Sequence, residues 1–423
     1  MAKYKIPRGT YDILPKDGYK WQFIRKKFKE IMKNYNYNEI VTPIFESAAL
    51  FERSVGDTSD IVEKEMYKFK DKKGREFALR PEGTAPVVRS FVNNGLYMQG
   101  NHTKLFYDGP MFRYDRPQKG RYRQFYQFGI ELIGTNEPYF DAEVISMGYR
   151  FLKCLGLSDF ELQINSLGNP KRNNKYDEIL KKYFEPFKDD LCDDCKRRLS
   201  KNPRRILDCK NMKCKEIAQN APSLIDYLEP EAKEKFEKVS DYLDKLDVKY
   251  VINPKIVRGL DYYTDTAFEF ITNKEKSQNA IIAGGRYNGL VKELGGKNVP
   301  GIGFAGGFER LILAMEKEGL SFGEKPKPEA FMVAMGNNAQ NTAVKLLELL
   351  RSKGISAEYD ISKTSFRSQL KAADKSGAKF AIIIGEDELK NNSFSLKNLE
   401  SGKQKMFSKE ELLEKIKTNI ALG

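Results

Sequence analysis

Residues 112–134 read FRYDRPQKGRYRQFYQFGIELIG, and the fold follows from how their side chains sort. Side chains of a strand alternate between its two faces. From residue 121 onward the even positions are Tyr122, Gln124, Tyr126, Phe128, Ile130 and Leu132, a mostly apolar set that needs a core. The odd positions are Arg121, Arg123, Phe125, Gln127, Gly129 and Glu131, a polar set with one aromatic ring and one glycine. A merely solvated face accounts poorly for the last two. A Phe between Arg and Gln offers a ring on which a base can stack. A mid-strand glycine weakens a strand unless something approaches closely. The turn at 116–121 carries three cations, which suits phosphates. Arg113, near the end of the preceding strand, joins them if it projects onto the same face. The stretch is read as the second half of a hairpin over 104–133 with a nucleotide site on its odd face.

Outward from the hairpin, apolar residues at 21, 24, 28, 31, 32 and 35 have helical spacing. Helices are also expected over 141–155 and 232–246, and strands over 39–42, 160–166, 248–252, 266–272 and 279–283. A glycine-rich run, 301–307, leads into a helix over 308–318, and 323–328 is a linker. The remainder alternates: strand 330–335, helix 339–353, strand 356–360, helix 365–376, strand 379–384. That order predicts a small α/β domain with parallel strands. The segment 170–222 differs in composition and reads as an insert. The expected division is a catalytic domain over 1–325, carrying the insert, and a second domain over 326–423.

At 423 residues the chain is too long for one ordinary core. No apolar run of about 18 residues occurs, so no membrane span is expected. The first ten residues lack the apolar stretch of a secretory signal, and a cytoplasmic location is expected. The formal charge of +14 suits a polyanion such as nucleic acid, although a generally Lys-rich composition gives the same balance. The excess is concentrated: 171–215 holds fifteen Lys/Arg against eight Asp/Glu. A single histidine, His102, excludes a His-rich metal site and any Ser or Cys triad not built on it.

The string from Phe112 to Phe125 resembles motif 2 of class II aminoacyl-tRNA synthetases. GIGFAGGFERL at 301–311 resembles motif 3, and Pro43, after a helix and a short strand, resembles motif 1, the dimer-forming element. Four further strings resemble histidyl-tRNA synthetases in particular: PRGTYDILP (7–15), LRPEGTA (79–85), VRGLDYY (257–263) and GGRYNGL (284–290). They stand in the family's order and spacing across essentially the whole chain. The resemblance implies an α+β catalytic domain on a mainly antiparallel sheet, a small inserted domain and a C-terminal α/β domain of the anticodon-binding type. It also implies a homodimer that uses ATP with Mg2+, L-histidine and tRNA-His.

The same resemblance assigns roles. Arg113 would bridge the histidine carboxylate and the α-phosphate, and Arg258 would serve the α-phosphate where related enzymes place a metal ion. An ion pair with Asp261 is the structural alternative for Arg258. Phe125 would stack on adenine, Asp115 would contact ATP, and Arg121 and Arg310 would hold the γ-phosphate end. Glu131 would accept from the imidazole, with Tyr263 on its other side and Tyr262 beside it. Glu82, Gly83, Thr84 and Gln127 would hold the α-amino group, although Pro81 and Thr84 also let Glu82 serve as a carboxylate at a helix N-terminus. Gln118 would sense the tRNA acceptor end, and the basic insert would clasp the acceptor arm or else be a solvated linker. Three positions depart from the family's usual residues: Asp115 for Glu, Asn288 for Asp, and Gly306 for a larger apolar side chain.

Four of the five cysteines fall as Cys192-x2-Cys195, thirteen residues, then Cys209-x4-Cys214. In a cytosolic chain this spacing favours a structural Zn2+ over disulfides, with free thiols the alternative. Cys154, on an apolar helix, is expected in the core. Two rival functions differ in class. One is the regulatory paralogue of ATP phosphoribosyltransferase, which typically lacks the C-terminal domain and the catalytic arginine; the other is a non-catalytic nucleic-acid binder.

Overall fold

Even positions of the second hairpin strand face the core: Phe128, Ile130 and Leu132 are fully buried. They belong to one cluster with Trp21, Ile24, Phe28 and Met32 of the helix Pro15–Asn34. The computed structural model describes residues 4–55, 59, 61–98, 100, 102–168, 174–209, 211–256, 262–272 and 280–418. These residues group into two units, Met1–Gly323 and Glu324–Gly423.

The first unit is built on an eight-stranded sheet. Its order is Asn38–Glu39, Thr103–Phe112, Gln124–Ile133, Gly301–Gly307, Ala280–Arg286, Thr264–Thr272, Phe160–Ser166, Val251–Ile252. The six central strands run antiparallel to their neighbours, and only the two short outer strands pair in parallel. The glycine-rich run Gly301–Gly307 is therefore a strand before it is a helix entry. It lies against Gln124–Ile133 with Gly303 opposite Glu131 and Ala305 opposite Gly129. The helices Pro15–Asn34, Pro138–Cys154 and Phe308–Lys317 supply the apolar stripe that covers the even face. Each of the first two carries Pro in its opening turn, where the missing N–H has no partner to lose.

A three-stranded antiparallel sheet, Phe45–Ser47, Glu76–Leu79 and Lys68–Lys70, was not expected from the sequence. It delivers Glu76–Leu79 to the helix Thr84–Asn93, and so places Glu82 and Thr84 over the main sheet. Arg80 ties this corner down. Its guanidinium donates to the carbonyl of Pro110 and to both the carbonyl and hydroxyl oxygens of Thr42.

The insert is helical, with Asn174–Phe184, Asp193–Lys201 and Met212–Ala218. It is not a solvated linker. Leu180, Phe184, Leu199 and Ile206 share a hydrophobic cluster with Val88, Phe91, Ile133, Tyr262 and Tyr287 of the catalytic sheet and its covering helix. Cys154, expected in the core, is instead exposed at the last turn of its helix, because the apolar stripe there passes through Phe151 and Leu152.

In the second unit Ala357–Glu358, Ala330–Ala334 and Phe380–Ile384 run parallel, as the alternating pattern requires. Phe394–Asn398 and Gln404–Phe407 then add antiparallel, which makes the sheet mixed rather than wholly parallel. The last strand pair escaped the sequence reading because its strands are only five and four residues long. No helix among the described residues is long and apolar enough to cross a membrane.

One buried ion pair ties the strands Thr264–Thr272 and Ala280–Arg286 to the helix Pro138–Cys154. Arg286, fully buried, donates from Nε to Asp141 (2.9 Å) and from Nη1 to the Thr135 carbonyl (2.9 Å), while Thr266 Oγ1 donates to Asp141 (2.6 Å). Asp141→Ala would leave a guanidinium buried without its anion, and a loss of about 3–5 kcal/mol is expected. Urea unfolding followed by the fluorescence of Trp21, the sole tryptophan and a core residue of this unit, measures it. An unchanged midpoint would show that the pair does not order these elements.

Candidate active site

The odd face of the hairpin forms the floor of a cleft of about 390 Å3. It is lined by Glu82, Thr84, Arg113, Asp115, Arg121, Phe125, Gln127, Tyr262, Tyr263 and Arg310. Ten residues singled out in the sequence, from four separate segments, thus meet in one place. Glu131 lies just beneath the lining, 1% exposed. Gly83 packs against the Tyr107 ring so closely that a Cβ there would overlap it. Gln118 stands apart on the exposed hairpin turn, bridged to Arg121. Arg258, with Asp261, lies outside the described residues.

One end of the cleft is a set of buried polar groups. Tyr287 Oη donates to Glu131 Oε2 at 2.7 Å. Gly303, opposite Glu131 in the register, has no room for a Cβ against that same oxygen. Burial pushes the Glu131 carboxyl up to about 8, against the opposing pull of the Tyr287 hydrogen bond. Glu131 Oε1 and Gln127 Oε1 are buried and make no hydrogen bond among the described residues. Each such atom costs about 1–3 kcal/mol unless a donor arrives, so the pocket is shaped for a ligand that brings N–H groups.

Glu82 serves in the way the capping alternative requires. Its two carboxylate oxygens accept from the amides of Thr84 (2.7 Å) and Ala85 (2.9 Å) at the start of the helix Thr84–Asn93. Burial raises its pKa, and these amides and Arg113 oppose the rise. A carboxylate has about four acceptor positions, so capping does not exclude a ligand ammonium at the same group.

The other end of the cleft holds the cations. Arg113 donates from Nε to the Pro81 carbonyl at 2.8 Å and lays its guanidinium 5.3 Å from the centre of the Phe125 ring. Arg121 is paired with Asp115 and lies 3.5 Å from Glu65. Asp115 and Arg121, both assigned to ATP, therefore neutralise each other in the free chain, and a triphosphate must compete with that pair. Arg310 donates from Nη1 to the Ala280 carbonyl at 2.7 Å. Arg123, on the same strand face, is turned away: it packs on Tyr114 at 3.8 Å and against Gly9. At Gly306 a Cβ would strike the Phe128 ring, so the departure at that position matches a neighbour in the core.

Two participants were missed. Tyr287 lies inside the 284–290 string but carried no role, since nothing local says its hydroxyl reaches a residue 156 positions away. Glu309 is buried, lines the cleft, and accepts from Tyr11 Oη (2.7 Å) and the Tyr126 amide (2.9 Å). Glu before Arg310 in the motif 3 string was the available signal.

The four cysteines of the insert also meet. Their sulfurs lie within 4.8 Å of one another, and Cys192 and Cys209 are 3.8 Å apart. A tetrahedral ion with metal–sulfur bonds of about 2.3 Å needs sulfurs roughly 3.8 Å apart. Backbone N–H groups of Cys192 and Asn211 donate to the sulfurs of Cys214 (3.2 Å) and Cys209 (3.5 Å), the kind of support that orients thiolate ligands. The donor set fits a soft divalent ion.

The raised Glu131 pKa has a consequence for stability. An acid that holds its proton more tightly when folded favours folding below its unfolded pKa, and loses that contribution as pH rises through the folded value. Without ligand, stability should fall by up to about 1.4 kcal/mol per pH unit between the ordinary glutamate range and about 8. Glu131→Gln should flatten this part of the profile. Denaturant midpoints of both proteins across that range decide the point, and parallel profiles would contradict the assignment.

The histidyl-tRNA synthetase family model matches residues 9–170 and 196–311, and an anticodon-binding domain model matches 329–419. The histidine–tRNA ligase of Halothermothrix orenii is 51% identical over 97% of this chain and 98% of its own length. That of Clostridioides difficile is 48% identical over 98% and 99%. The crystal structure of apo histidyl-tRNA synthetase from S. aureus superposes with a TM-score of 0.82 at 44% identity, covering 98% of this chain and all of that one. The matched segments contain the hairpin, the strand Gly301–Gly307 and the buried Glu131, and the chain belongs to the histidyl-tRNA synthetase family.

Proposed function

We propose that the protein is a histidine–tRNA ligase that joins L-histidine to ATP as histidyl-adenylate, releasing pyrophosphate, and then passes the histidyl group to the 3′ end of tRNA-His. The observation that carries this reading is the buried Glu131, backed by Tyr287 and flanked by Gln127, at one end of a cleft whose other end holds Arg113, Arg121 and Arg310. A carboxylate oxygen of histidine attacks the α-phosphorus, and the bond to the β-phosphate oxygen breaks. Two anions must be brought together, so fixed positive charge is the main requirement. Arg113 supplies that charge, held in position by donating to the Pro81 carbonyl. Arg258, assigned by the VRGLDYY string, adds a second guanidinium at the α-phosphate. ATP arrives with Mg2+, which neutralises its β- and γ-phosphates.

A ring recognised by hydrogen bonds at both nitrogens rejects analogues lacking them by roughly 10⁴–10⁵. Glu131 on one side and Tyr263 on the other supply that recognition. The tRNA meets the hairpin turn at Gln118, the basic insert and the C-terminal unit, which matches an anticodon-binding domain. That last match favours the ligase over a regulatory paralogue. The exposed apolar residues Val41, Ile44, Phe45 and Phe69 suit a second copy of the chain, as motif 1 implies for a homodimer in the cytoplasm. The four-cysteine cluster takes one structural Zn2+.

Histidine-dependent exchange of pyrophosphate into ATP tests the reading: exchange with histidine is expected, and its absence in folded protein would refute it. Arg258→Ala should slow adenylate formation by roughly 10²-fold without shifting the melting temperature. An unchanged rate would remove Arg258 from the mechanism.

A further inference from the structure

The cysteine cluster is not remote from the chemistry. A second hollow, about 440 Å3, lies between it and the catalytic arginines: Cys192 and Cys209 line one side, Arg113 and Arg121 the other. Asp208 lines both this hollow and the catalytic cleft, and Cys209 is its immediate neighbour in the chain. Asp208 is exposed, and its segment follows a single turn, Pro203–Ile206, before the next helix begins at Met212. Asn211 caps that helix, accepting from the amides of Lys213 and Cys214. The sulfur of Cys209 is what a bound ion would grip closest to Asp208.

We propose that the metal held by Cys192, Cys195, Cys209 and Cys214 fixes one wall of the catalytic cleft through Asp208, so that the ion supports histidine activation and not only the fold of the insert. Asp208 is a positioning residue. It stands on the wall shared by the hollow and the cleft, both of which Arg113 and Arg121 also line, and its negative charge there helps hold those guanidiniums while the triphosphate displaces Asp115 from Arg121. This rests on the ligase reading but adds a coupling that the reading does not require. The ion is closed off by four sulfurs and touches no substrate.

The experiment uses the untagged full-length dimer or monomer as purified without chelators. Metal analysis should give one Zn2+ per chain, and cobalt exchanged into the site should show the intense visible bands of a tetrahedral tetrathiolate. Neither readout involves histidine, so they stand or fall apart from the ligase reading. Asp208→Asn should keep the metal and the melting temperature while raising the KM for ATP in the exchange assay roughly tenfold, with Asp208→Glu recovering part of it. Cys214→Ser, or removal of the ion by chelation, should lose the metal and raise the same KM by a similar factor, with limited proteolysis checking that the rest of the unit stays folded. Full-length protein without bound metal, or metal-depleted enzyme with an unchanged KM for ATP, overturns the proposal. So does Asp208→Asn with wild-type kinetics. Wild-type exchange accompanied by either of these outcomes leaves the ligase reading intact and removes only the coupling.

Discussion

The period of two along Gln124–Ile133 is the constraint from which the rest of the molecule follows. One set of side chains on this strand builds the core with the helix Pro15–Asn34, and the other set builds the cleft. A slip of one residue in its pairing would put Phe128, Ile130 and Leu132 into the cleft and Glu131 into the hydrophobic core. Register is therefore enforced from both faces at once. It is enforced again by the neighbouring strand Gly301–Gly307, whose Gly303 can lie only against the carboxylate of Glu131.

Placing Glu131 under the cleft is unfavourable for the empty protein, and the surroundings show how the fold limits the penalty. Tyr287 donates to one oxygen, while the other is left for a ligand. At the opposite end the same problem is solved with charge: Arg121 rests on Asp115 and Glu65. The free site is thus held in shape by internal partners that resemble the ligands in chemistry. Such preorganisation leaves little to rearrange when charge develops in the reaction.

Much of this was legible in the sequence, and the reasons for the gaps are physical. The helices 21–35, 141–155 and 232–246 were visible because one apolar stripe at period 3.6 is a local property. The hairpin was visible because alternation is local too. Phe45–Ser47 and Lys68–Lys70 were not, since their short, exposed strands carry no alternation and are defined by partners across the sheet. Phe394–Asn398 and Gln404–Phe407 are only five and four residues long, too short to stand out. In the site, ten residues from the recognisable strings line one cleft. Tyr287 and Glu309 were missed because their roles depend on partners far away in the chain. Parity puts Arg123 on the face that lines the cleft, and only the packing of Gly9 and Tyr114 shows why it turns aside.

The bond from Tyr11 to Glu309 spans 298 residues. On a ribosome the first of these residues emerges long before the second exists. Tyr11 can meet Tyr122 once the hairpin is made, but its carboxylate partner comes only with the helix Phe308–Lys317. A nascent chain cut short before that helix lacks Glu309 and Arg310, both of which line the cleft. The contact that closes the first unit is thus among the last of that unit to be made, with Glu324–Gly423 still to follow.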